Sequence, residues 1–168
     1  MMDLHKKMAL KDLWNLGIEE DLIKGLDIII LPENYDENRD NLYDAQDSIT
    51  ISKLLKEEGV SCANSYDLNL DLPTKDRKSS DVWIGQMYIL NDLIVPMVVG
   101  VLQSYLQPLI LQRKNRRDSR APAADVHTEI KIFKGADETS ISYKGDPETL
   151  IKILELLKND EQNNDHSV

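Results

Sequence analysis

Glu129 and Lys131 flank Ile130 at the spacing that turns two strand side chains to one face, setting a carboxylate beside an ammonium. Such a pair offers a hard oxygen ligand for a divalent cation with a positive charge beside it. An alternating strand also puts glutamate and lysine on its wet face by default, and no metal-binding aspartate precedes the pair on a partner strand. Asp67 and Asp71, with Asn69 between them, could line up as oxygen ligands. They lack the glycine and the distant glutamate of a calcium loop, and a solvated strand face accounts for them. His5, His127 and His166 lie far apart in sequence, and none has a second ligand at helical metal-binding spacing. Cys62 is the only cysteine, which excludes an intramolecular disulfide and a multi-cysteine zinc site; no sequence near it activates a thiol, so it reads as packing. There is no glycine-rich phosphate loop, no serine nucleophile elbow and no aromatic-studded basic surface. These residues imply no cofactor and favour a binding role over an enzymatic one.

The 168 residues suffice for one core with room for an extra arm, and 41% hydrophobic with 30% charged residues fits a folded domain with polar connectors. A formal charge of −10 disfavours nonspecific binding to nucleic acid. Arg113, Lys114, Arg116, Arg117 and Arg120 form a local basic cluster, but the stretch around them is irregular and polar, as in a solvated linker. The single cysteine suits a reducing compartment, and Met1-Met2-Asp3-Leu4-His5-Lys6-Lys7 leads into a mixed polar helix pattern, not a secretory signal; a cytoplasmic protein is expected.

Residues 8–26 carry an amphipathic pattern punctuated by Gly17 and Gly25, which predicts two short helices. Asp27-Ile28-Ile29-Ile30-Leu31-Pro32 has the composition of a strand buried on both faces. Residues 33–43 read as a loop, residues 45–58 as a helix stopped at Gly59, and the alternating residues 66–72 as a second strand, so a parallel crossover is expected. Residues 82–112 are the most apolar stretch; their length predicts a helix, kinked or divided by Pro96 and Pro108. Residues 113–125 read as a basic linker. Val126, Thr128, Ile130 and Ile132, then Ile141 and Tyr143, alternate about the turn Lys134-Gly135-Ala136-Asp137-Glu138, which predicts a β-hairpin able to complete the same sheet. Gly145-Asp146-Pro147-Glu148 opens a helix with an N-cap aspartate and proline at the first helical position; Leu150, Ile153, Leu154 and Leu157 form its apolar stripe. Residues 159–168 read as a polar, frayed tail.

The apolar stretch from residue 87 to 111 is long enough to span a bilayer, and a membrane-associated protein anchored there is one alternative. Asn91, Asp92, Gln103, Ser104 and Gln107 interrupt it, and the unbroken block from 93 to 102 is too short to span, which favours a buried or partner-facing helix.

The order of elements, an amphipathic helix, a polar strand region, an apolar helix ending in basic residues, Val126-His127-Thr128-Glu129-Ile130 and the junction Lys144-Gly145-Asp146-Pro147-Glu148-Thr149-Leu150, resembles the small effector-associated components of bacterial conflict systems. The resemblance covers about the last half of the chain. It implies a non-enzymatic adaptor encoded beside a separate effector, such as a protease, nuclease or nucleotide-sensing protein, and it carries over no catalytic residue. The spacing of Glu129 and Lys131 resembles the E-x-K element of restriction-endonuclease-like nucleases, which implies a metal-dependent nuclease as the enzymatic alternative. The sequence thus predicts an α+β fold: a core over 1–112, a linker over 113–125, a hairpin-plus-helix unit over 126–158 and a tail over 159–168. The expected function is binding a protein partner or self-association through Leu93, Met97, Leu102, Tyr105, Leu109, Ile130, Ile132 and Tyr143.

Overall fold

The computed structural model describes residues 4–36, 40–77, 79–115 and 123–166. Three short helices come first: α1 (Leu4–Ala9), α2 (Lys11–Asn15) and α3 (Glu20–Ile23). Strands β1 (Ile28–Leu31) and β2 (Asp44–Ala45), helix α4 (Ser48–Glu57), and strands β3 (Cys62–Ala63), β4 (Thr74–Lys75) and β5 (Val82–Ile89) follow. Helix α5 (Val95–Lys114), strands β6 (Val126–Lys134) and β7 (Asp137–Gly145) and helix α6 (Pro147–His166) complete the chain. The result is the α+β fold expected, a five-stranded mixed sheet in the order β3-β1-β5-β6-β7 packed by helices, with a C-terminal hairpin followed by a helix.

All four residues of β1 are buried because the strand has a covered face on each side. Ile28 and Ile30 join the core under α4, α5 and α6, whereas Ile29 and Leu31 join a second cluster with Leu10, Leu13, Ile18 and Ile23 from the N-terminal helices and their connections. The second cover does not reach the far side of the sheet. Glu129 on β6 and Ser140, Ser142 and Lys144 on β7 are exposed there, and that half of the sheet face is polar.

Two strand–helix–strand units stand back to back. β1 and β3 are parallel with α4 between them, β5 and β6 are parallel with α5 between them, and β1 and β5 pair antiparallel at the centre. The hairpin β6–β7 therefore belongs to the same sheet as β1.

Several sequence expectations fail here for identifiable reasons. Residues 82–89 are a central strand, not the start of a helix running to 112: Val82, Trp83, Ile84, Tyr88 and Ile89 are the β-branched and aromatic types that suit a pleated surface, and length alone misassigned them. The break falls at Asn91, whose side chain accepts a hydrogen bond from the Leu93 amide at 3.2 Å and starts a 3-10 turn over Asp92–Ile94. Pro96 does not kink α5; it lies in the first turn, where its missing N–H has no intrahelical partner to lose, and only Pro108 sits inside the helix.

Residues 66–72 alternate without being a strand. They form turns in which Leu68 is buried and Tyr66 is 82% exposed, while Asn64 and Asp67 exchange side-chain-to-amide hydrogen bonds of 3.0 Å. The strand that closes the parallel crossover is the two-residue β3 just before them. Residues 8–26 hold the two short helices expected, α2 and α3, and α1 precedes them, starting at Leu4. α6 runs on to His166, past the expected end near 158. Arg113 and Lys114, assigned to a linker, are the last turn of α5; the linker expected over 116–122 lies outside the described residues.

Candidate functional site

Helix α5 is positioned by its inner stripe. Val95, Val98, Val99, Leu102, Leu106 and Ile110 recur at helical spacing and are buried against the sheet. α4 and α6 both pack against α5, and the helix still keeps an outer face of Met97, Gly100, Gln103, Ser104, Gln107, Pro108 and Leu111, extended by Leu93 in the preceding turn. In a chain that is 30% charged, residues 93–112 contain no Asp, Glu, Lys or Arg. Leu93 is 71% exposed, Leu111 49% and Met97 40%.

A groove of about 380 Å³ runs along this face beside α4, lined by Leu54, Glu57, Glu58, Met97, Gly100 and Ser104. A shallower depression of about 570 Å³ continues it over Gly100, Ser104, Pro108 and Leu111. Gly100 is common to both. A Cβ at Gly100 would meet nothing within 4 Å, so no packing inside the chain requires glycine there, although glycine in a helix interior costs about 0.5–1 kcal/mol relative to alanine. Uncharged, with exposed Leu and Met and a glycine that nothing internal explains, the face has the make-up of a contact surface.

Of the residues expected to meet a partner, Leu93 and Met97 lie on this face. Leu102, Ile130 and Ile132 are core side chains, and burial beneath the helical layer accounts for their apolar character. Tyr105, Leu109 and Tyr143 are half-buried: the Tyr105 hydroxyl donates to Asp47 Oδ1 at 2.6 Å, Leu109 packs on the core, and the Tyr143 hydroxyl donates to the Asp146 carbonyl. Gly100, Ser104, Pro108 and Leu111 share this face and are not among the residues the sequence singles out one by one as partner contacts. The signal was there, since they sit at helical spacing opposite the valine-rich stripe, but it could be read only once the helix start was fixed at Val95.

Asp47 holds the neighbouring elements together. Its amide donates to the Trp83 carbonyl and its Oδ2 accepts from the Trp83 amide at 2.8 Å, so one carboxylate ties the start of α4 to β5 and, through Tyr105, to α5. At the same end of the sheet, a cleft of about 420 Å³ opens on the polar face, lined by Glu33, Arg77, Trp83, His127, Glu129 and Lys144 among others. The His127 ring stacks on Trp83 with centroids 3.5 Å apart, and the Arg77 guanidinium lies 3.6 Å from the same indole. Arg77 is held by Glu33 at 2.6 Å and His127 by Asp81 at 2.9 Å. Glu33 and Glu129 balance Arg77 and Lys144, so the cleft presents planar and polar groups without an excess of one charge.

Burial works to raise the Asp81 carboxyl, but the Asp125 amide and the His127 ring outweigh it and hold the group below its ordinary value. A carboxyl with a lower pKa folded than unfolded adds stability that is present above the unfolded value, near pH 4, and is lost as pH falls through the folded one. Asp81→Asn is therefore expected to lower the urea midpoint at pH 7 and to lie closer to the parent at pH 3. A gap of equal size at both pH values would contradict this.

Glu129 and Lys131 do share the open face of β6, as their spacing predicts. Lys131 Nζ lies 3.8 Å from Glu138 and 5.2 Å from the Tyr88 ring centroid, and among the described residues no group of three or more His, Cys, Asp or Glu side chains converges as metal ligands. Cys62 is buried 3.6 Å from Ser52 Oγ, and burial pushes its thiol up, away from the reactive thiolate. One helix among the described residues, Asp92–Lys114, is long and apolar enough to cross a membrane, with mean hydropathy 1.7, and 44% of that window is buried within the chain. Residues 87–89 of the expected anchor belong to β5 instead.

No family model, no curated protein and no solved structure matches the chain.

Proposed function

We propose that this protein is a non-enzymatic, cytoplasmic adaptor that docks a separate protein on the outer face of α5, in keeping with its resemblance to effector-associated components of bacterial conflict systems. The observation that carries the proposal is the uncharged run over residues 93–112, presented outward around Gly100 with Leu93, Met97 and Leu111 exposed. The groove suits an amphipathic helix laid along it, with apolar anchors against Met97 and Leu54 and small residues over Gly100. Glu57 and Glu58 on its lip, and a net charge of −10, favour a partner with a basic rim and work against a polynucleotide.

Gly100→Arg and Ser104→Arg test this directly. Both positions are exposed and neither change displaces a core side chain, so circular dichroism and the thermal midpoint should stay close to the parent. The protein that co-purifies stoichiometrically with the tagged parent, once purified, is expected to bind the Arg variants at least roughly tenfold more weakly, a loss of about 1.4 kcal/mol. Equal affinity for parent and variants, or the absence of any stoichiometric protein from the native host, overturns the proposal.

A further inference from the structure

The two edges of the sheet are guarded very differently. At one end β3 is only two residues long, which leaves little backbone to recruit another strand. At the other end β7 is nine residues long, and none of its residues is buried. Its register with β6 runs unbroken from Asp137 to Gly145, with no bulge, and it contains no proline. The middle five residues, Thr139-Ser140-Ile141-Ser142-Tyr143, carry no charge. Among the described residues no strand pairs with the outer side of β7, so its outward N–H and C=O groups form an open ladder without the usual protections of an edge.

We infer that β7 pairs antiparallel with β7 of a second copy of this chain, joining two sheets into one of ten strands about a two-fold axis at Ile141. The sequence of the strand is complementary to itself in that register. With Ile141 opposite Ile141, Ser140 faces Ser142, Thr139 faces Tyr143 and Glu138 faces Lys144. A two-fold axis perpendicular to the sheet keeps each facing pair on one side. Glu138 and Lys144 therefore meet twice, at the two ends of the ladder on the polar face, as opposite charges directly across an antiparallel pair. On the other face Ile141 and Tyr143 are already half-buried against the helical layer, and there Ile141 meets Ile141 of the second copy and Tyr143 meets its Thr139. A slip of two residues in either direction loses both the central Ile141 contact and the charge pairs, so the pattern selects one register.

Charge exchange tests the pairing. Glu138→Lys and Lys144→Glu, each alone, place like charges opposite each other at both ends of the ladder. Each single variant is expected to shift the mass measured by sedimentation equilibrium from dimer to monomer, and the double variant to restore the dimer. Amide hydrogen exchange is the second readout: alternate amides of β7, exchanging freely in dilute protein, should become protected as concentration rises. Gly100→Arg, on the opposite layer, should leave the dimer intact, which separates this inference from partner docking on α5. A parent that is monomeric throughout, single variants that dimerise as the parent does, or a double variant no better than the singles would each overturn it.

Discussion

Replacing Gly85 with valine is expected to lower the stability of the folded chain by about 2–5 kcal/mol, combining about 1–2 kcal/mol for forcing a residue with a Cβ into the left-handed region with about 1–3 kcal/mol for overpacking. Gly85 has a φ of +86° and sits where the pairing of β5 with β6 shifts register between Trp83 and Gly85. A Cβ there would stand 3.2 Å from the Leu31 carbonyl oxygen and 3.3 Å from the Ala45 Cβ, one a backbone atom and the other fixed directly to the backbone, so neither can swing aside. The bulge also resets which face each residue of β5 presents. Ile84, the extra residue within it, and Met87 after it both enter the helical core, while Trp83 lines the cleft with Gln86. The urea midpoint should fall with an unchanged slope, and the fluorescence of Trp83 should report a disturbed stack on His127. A loss below about 1 kcal/mol would mean that β5 can absorb a side chain at this position.

Leu102→Ala should cost about 2–5 kcal/mol, because a fully buried side chain is lost and the sheet and helices around it close the cavity only in part. Met97→Ala, one turn earlier but 40% exposed, should change stability by about 0.5 kcal/mol or less. The contrast separates the two faces of α5. If Met97 meets a partner, its truncation weakens binding with little change in folding, whereas Leu102→Ala acts on folding first. Urea unfolding of the two variants side by side, followed by the binding measurement at a temperature where both are folded, distinguishes them; comparable losses of stability would show that the helix is seated differently from the arrangement described.

What the sequence made legible was whatever local pattern alone decides. The uninterrupted Ile28-Ile29-Ile30-Leu31 run, the Asp146-Pro147 helix start and the alternation of β6 and β7 each have one strong reading. α6 begins at Pro147 with Asp146 Oδ2 accepting from the Thr149 amide at 2.9 Å, as a capping aspartate does. Residues 82–111 failed because two apolar elements of different period abut, and the polar pair Asn91-Asp92 between them looks like an interruption within one helix. Residues 66–72 failed because alternation of polar and apolar side chains does not require pairing: one buried Leu68 and two turn-forming residues, Asp67 and Asn69, give the same pattern. Asn69 has a φ of +62°, which a regular strand does not accommodate. Of the residues named on α5 and the turn before it, Leu93 and Met97 are exposed and Leu102 is buried in the core, since choosing a face requires the helix phase. The cleft was not legible, because Arg77, Trp83 and His127 come from a loop and two strands that meet only in the folded chain.

The back-to-back arrangement of the two crossovers also sets an order on how the chain comes together. The hairpin β6–β7 closes between Lys134 and Asp137, a local event that needs almost no loop, whereas β1 must wait for its antiparallel neighbour until Ile89, the partner of Ile28, has been made. Through that interval the most apolar run in the first half of the molecule has only Cys62 and Ala63 for a strand partner. A chain emerging from the ribosome thus carries β1 without its antiparallel neighbour from residue 28 until residue 89 is made, with one face covered by the N-terminal helices that precede it.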